Sequence, residues 1–94
     1  MYLNPSGSGY LLDVQADLLD GLNTRVVVPL IDIAQAPKPA KNLNPVFDVN
    51  GEQVVMMTQF MASVPSSILT TPIARLSDQF AEITNALDMV FQGF

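Results

Sequence analysis

The sequence predicts a β-rich α+β fold, an antiparallel sheet followed by one C-terminal α-helix, and three observations predict it. Apolar residues in the last eighteen positions, 77–94, recur at alternating spacings of three and four, the signature of an amphipathic helix. Asn50-Gly51 sits between two short apolar runs, the pair that satisfies the two positive φ angles of a type I′ hairpin. Val26, Val27 and Val28 form an uninterrupted β-branched run, as expected of a strand buried on both faces.

At 94 residues the chain is one domain, 1–94, with room for a modest core that a second subunit would help to stabilise. Apolar residues make up 49% and charged residues only 14%, so a core forms and some apolar surface is left for a partner. Asp13, Asp17, Asp20, Asp32, Asp48, Glu52, Asp78, Glu82 and Asp88 outnumber Arg25, Lys38, Lys41 and Arg75, for a net charge of −5. Direct nucleic-acid binding is disfavoured, because phosphate affinity comes from clustered bases and these are scattered; a basic partner suits the chain better. Without cysteine or histidine there are no disulfides, no thiolate metal sites and no imidazole base. No run is apolar enough to span a bilayer and no leader pattern opens the chain, so the expectation is a cytosolic protein with no membrane contact.

Met1, Tyr2 and Leu3 suffice for the end of a strand, and 4–9 (NPSGSG) is a loop of turn formers. Residues 10–14 (YLLDV) read as a strand with Leu11 and Asp13 on one pleat face and Tyr10, Leu12 and Val14 on the other. At 17–21 (DLLDG) a turn leaves Leu18 and Leu19 side by side, where both cannot easily face inward, so one is a candidate for partner contact, the alternative being a loop folded over the core that buries both. Residues 24–33 read as the buried strand, and Pro29, which cannot donate to a ladder, places it at an edge, at a bulge or at its finish. The stretch 34–45, with Pro37, Pro39 and Pro45, reads as a semi-rigid loop.

The hairpin spans 46–57, and its second strand is expected to run on through Met61 to Pro65. Met56, Met57 and Met61 form an adaptable apolar set, read either as core or as a dimer interface. Thr71-Pro72 suggests a cap and a first helical position, hence a short helical turn before the final helix. In that helix Phe80, Ile83, Leu87, Val90 and Phe94 make the core stripe, Phe91 lies at its edge, and Met89 points away among Asp78, Glu82, Asn85 and Gln92. Such a helix is either docked and fraying at its end or presented as a binding tip.

Chemistry is sparse. Asp13 and Asp17 would share a helical face able to hold Mg²⁺, but 10–14 reads as a strand and Asp20-Gly21 as a turn, which favours solvated carboxylates and no metal. Arg25, Thr24, Thr58 and Ser63 could furnish a histidine-free ribonuclease, although nothing in their spacing fixes them in reach of one another. No phosphate-cradling loop, nucleophile elbow or metal pair is present, so neither catalysis nor a cofactor is expected.

The segments LLDVQADLLDGLNTRVVVPL (11–30), MMTQFMASVP (56–65) and LDMVFQGF (87–94) together resemble the CcdB family of bacterial toxins. That resemblance implies a small SH3-like barrel of the CcdB and MazF type and a cytosolic homodimeric toxin. It further implies binding to the catalytic A subunit of DNA gyrase, trapping of the cleaved DNA complex, and neutralisation by a CcdA-like antitoxin. It places gyrase contacts on Ala16, Leu18 and Leu19 and on Asp88, Phe91, Gln92, Gly93 and Phe94. Gln92 stands where the family commonly has tryptophan, Asp88 puts a charge near the tip where an asparagine is familiar, and the first strand is short. MazF-type toxins share the fold and cut RNA, so an endoribonuclease is the alternative function, and a relic retaining only antitoxin binding is another.

Overall fold

The computed structural model describes residues 1–5, 9–15, 23–36, 38, 43–69, 72–73 and 80–92, with the side chains of Phe80 and Gln92 excepted. The predicted turn at 17–21, Thr71, the helix start at 77–79, and Gly93 and Phe94 lie outside the described residues. Strands are β1 (Tyr2–Leu3), β2 (Tyr10–Asp13), β3 (Thr24–Asp32), β4 (Val46–Val49), β5 (Glu52–Met56) and β6 (Ala62–Pro65), followed by helix α1 (Phe80–Gln92). They form one antiparallel sheet in the order β1-β2-β3-β5-β4, with β6 also paired to β3. The sheet and single helix are the β-rich α+β fold expected from the sequence.

The hairpin forms where Asn50-Gly51 predicts it: the two residues have φ of 53° and 87°, and Asp48 Oδ1 accepts the Gly51 N–H at 3.0 Å. Gly9 answers a different constraint. Its φ is +77° and a Cβ there would lie 2.5 Å from the Leu30 carbonyl oxygen, so the close approach of the first loop to β3 requires glycine.

β3 is the spine. Leu30–Asp32 pair with β5 on the same side on which Thr24–Val27 pair with β6, so β5 and β6 lie end to end along one edge of β3. The second hairpin strand therefore does not run unbroken to Pro65. It stops at Met56, residues 57–61 fold out as a 3-10 turn (Thr58–Phe60), and pairing resumes at Ala62; these five residues face only Val28 and Pro29. Pro29 thus sits in the middle of β3, opposite a bulge. Its carbonyl accepts the Met57 N–H at 2.9 Å, and in an extended strand its nitrogen points to that same side, so the missing N–H falls where the ladder is interrupted.

One face of the sheet carries the main core: Met1, Leu12, Val28, Leu30, Phe47, Val49, Val54 and Met56 close on Ala86 of α1, with Ile83 and Leu87 packed alongside. On the other face Leu11, Val27 and Val55 are also buried, so β3 is covered on both sides as its valine run foretells. Pro72 does not begin a helix. It bridges to Tyr2 while the Ile73 N–H donates to the Met1 carbonyl, because the segment closes the β1 edge instead; the short helical turn lies earlier, at Ser66–Ile68.

Two residues of α1 depart from the expected stripe. Ala86, fully buried, lets the helix approach closely and turns its contact toward Met89, which is half-buried rather than outward. Val90 lies two turns from Ile83 on the same side, yet it is 37% exposed, so the last turn of the helix overhangs the core.

Candidate partner-binding surface

The overhang defines the surface. In its last turns α1 presents Asp88 and Val90 to solvent together with Phe91, which is 72% exposed, and the helix continues through Gln92. Phe60, which sequence reasoning did not single out, is 60% exposed on the 3-10 turn that contacts α1. The only hint of it was an aromatic in a run whose strand periodicity fails at Thr58-Gln59. Single exposed apolar residues are ordinary, but an exposed phenylalanine and valine side by side on a rigid helix form a contact-ready apolar tip.

The second predicted surface, Ala16 with Leu18 and Leu19, lies outside the described residues, as do Gly93 and Phe94. What is described is the base on which segment 16–22 stands. The alternation that put Leu11 and Asp13 on one pleat face places Asp13 beside Arg25 of the neighbouring strand, a diagonal pair across the ladder. Arg25 Nε donates to Asp13 Oδ2 at 2.7 Å and Nη2 donates to Asp13 Oδ1 at 3.1 Å, a two-pronged ion pair with side chains only 11% and 18% exposed. Gln15 adds three bonds. Its N–H donates to Asp13 Oδ1 at 3.0 Å, its Oε1 accepts the Val26 N–H at 3.0 Å, and its carbonyl accepts from Arg25 Nη2 at 3.4 Å.

That arrangement removes both catalytic readings from Asp13 and Arg25. A guanidinium held by a carboxylate in a buried pair is not aimed at a phosphate, and Asp13 is committed to Arg25 rather than to a cation. Thr58, another member of the ribonuclease set, is fully buried and donates to the Leu43 carbonyl at 2.6 Å, while Thr24 and Ser63 are exposed. Among the described residues no three Asp, Glu, His or Cys side chains are grouped to hold a metal.

The methionine set divides. Met56 and Met57 are buried inside the single chain, 0% and 2% exposed, because β5 points one into the core and the other lies under the bulge, so neither offers a face to a second copy in this conformation. Met61 is half-buried and keeps one.

An open cleft of about 320 Å³ between β1, β2, β3 and β5 is lined by Leu3, Ile31, Val54, Asp32, Glu52 and Tyr10, among others. Burial, followed by the charge and hydrogen bond of Glu52, holds the Tyr10 phenol above its ordinary range. Among the described residues no helix is long and apolar enough to cross a membrane.

Comparison with known protein families gives a match to the model described as "CcdB protein" over residues 1–93. It therefore takes in all the residues of both surfaces except Phe94.

Proposed function

Because the chain belongs to the CcdB family of toxins from toxin–antitoxin pairs, we propose that it is a cytosolic homodimer that binds the A subunit of DNA gyrase, holds the enzyme on cleaved DNA, and is relieved by a CcdA-like antitoxin. It acts by binding alone, with no chemistry, cofactor or direct nucleic-acid contact of its own. The observation that carries this reading is the overhanging end of α1, where Asp88 and Phe91 occupy positions that the family uses for gyrase and stand exposed beside Val90. Gln92, Gly93 and Phe94 extend that contact, and Ala16, Leu18 and Leu19 supply a second one. A charge of −5 suits a basic protein groove and opposes binding to RNA, and Arg25, enclosed by Asp13 and Gln15, weighs against the ribonuclease alternative. With Met56 and Met57 buried, the homodimer contact falls to Met61 within that set.

The deciding experiment is plasmid cleavage by purified gyrase with and without the protein. Linear, enzyme-linked DNA should accumulate on addition of the toxin and disappear when the antitoxin follows. Unaltered cleavage at saturating protein would defeat the proposal. New ends in a mixed RNA substrate would instead promote the ribonuclease. Sedimentation at micromolar concentration tests the dimer, which a sole 10.2 kDa species would refute.

A further inference from the structure

We infer that Asp13, Gln15 and Arg25 together act as positioning residues for the partner-binding segment 16–22, fixing where the chain leaves β2 and re-enters β3. The inference deepens the gyrase reading above and rests on it for the identity of the partner.

Both ends of the segment are anchored. Past the end of β2, the Val14 N–H donates to the Val26 carbonyl at 3.0 Å, and the Gln15 amide side chain takes the Val26 N–H in return. A side chain thus completes the pairing that backbone would otherwise make, and it does so on the residue immediately before Ala16. Arg25, at the start of β3, reaches back to grip Asp13 and the Gln15 carbonyl. On the returning side the Asn23 carbonyl accepts the Ser66 N–H at 2.8 Å, which ties the other end to the end of β6.

This brace is more than β pairing requires. A strand pair ending in a loop needs no buried ion pair, and an apolar pair of similar volume often stabilises a fold equally well. What a forked guanidinium contributes beyond that is direction: its planar N–H groups donate to the carboxylate and to the Gln15 carbonyl in one geometry only. The orientation of Gln15 is thereby set from three sides, and with it the direction in which the chain enters 16–22. A segment delivered at a fixed angle loses less conformational freedom on binding than one hinged freely at its base.

The test compares three proteins: the parent, Arg25→Lys, and the double variant Asp13→Leu with Arg25→Met, which replaces the ion pair by apolar side chains. Each is measured by thermal melting, by amide hydrogen exchange across 16–22, and by titration against the gyrase A-subunit fragment. In the double variant the fold should persist, the amides of 16–22 should exchange faster, and affinity should fall on the order of ten-fold, the penalty of re-ordering one or two freed residues. Arg25→Lys, which keeps the charge but not the fork, should fall between the two in both readouts. If the double variant melts out, Arg25→Lys alone decides by the same two readouts. Unchanged exchange at 16–22 in a folded variant, or gyrase affinity within about two-fold of the parent, overturns the inference. Should the parent itself fail to bind the fragment, it is the gyrase reading that fails, and the exchange data still decide whether the brace orders the segment.

Discussion

Truncating Phe91 to alanine should separate binding from folding more cleanly than any other single change. A phenylalanine covers roughly 200 Å², and Phe91 is 72% exposed, which leaves roughly 140 Å² free for a partner. At about 25 cal/mol per Å² the ceiling on what a partner can gain there is about 3.5 kcal/mol, and since alanine keeps the Cβ the expected loss is about 2–3 kcal/mol, or ~30–150-fold in Kd. Within the single chain only the remaining quarter of the ring is covered. Its loss costs about 1.4 kcal/mol at most, and alanine's higher helix propensity returns about 0.5 kcal/mol. The melting temperature should therefore drop by no more than about 4–8 °C. The assay is a titration of Phe91→Ala against the gyrase fragment, with a melt of the same sample. Binding equal to the parent's would show that the tip is not an anchor, and a collapse in melting temperature would show that Phe91 is a core residue after all.

Other changes bear on the same division. Met56→Ala, at a position with no exposure, should cost about 2–5 kcal/mol of stability in chemical denaturation while leaving the affinity of the folded fraction unaltered. Gln92→Trp should tighten gyrase binding several-fold by restoring the family's stacking surface, measured in the same titration as Phe91→Ala, and unchanged affinity would mean that the helix end meets a different target. The Tyr10 phenol is held above 10.0 by burial and then by Glu52, so the native state keeps its proton where the unfolded chain releases it. Stability is then intact below about pH 10 and falls above it, and Tyr10→Phe should flatten that alkaline limb in urea melts taken from about pH 8 to about pH 11.

Local chemistry made much of this fold legible. The Asn50-Gly51 turn, the two-faced burial of Val27 and Val28, and the shared face of Leu11 and Asp13 all follow from constraints that act within a few residues. The features that were not legible depend on what lies across the sheet. Thr58-Gln59-Phe60 contains neither glycine nor proline to mark a 3-10 turn, and the failed strand periodicity there does not specify one, because its cause is the three-residue excess of 57–61 over Val28 and Pro29 on β3. Met56 and Met57 could have been interior or interface, since both environments ask for the same flexible apolar side chain, and their burial within the single chain comes from β5 lying between β3 and β4 for Met56 and from the bulge for Met57. Arg25 and Asp13 are twelve residues apart, and their pairing becomes visible only once the β2 and β3 register is known.

The length of α1 itself argues that its end serves a partner. Thirteen residues at 1.5 Å each make a helix of about 20 Å. The described contact with the core is made by Ile83, Ala86 and Leu87, little more than one turn near its middle. Beyond Leu87 the helix continues through Asp88, Met89, Val90 and Phe91, and of these only Met89 is half-buried. Ordering a backbone residue costs about 1–2 kcal/mol, and in a solvated helical turn hydrogen bonds and propensity only roughly balance that cost. A turn kept for its own stability would be filled with alanine, lysine or glutamate, which hold helix at least as well and stay wet without penalty. Here, beside Asp88, two of the solvent-facing places are held by a valine and a phenylalanine, which have lower helix propensity and leave apolar surface in water. Within one chain the Phe91 ring gains little from burial and Val90 keeps about a third of its surface wet, and both gain further when a second surface removes them from water.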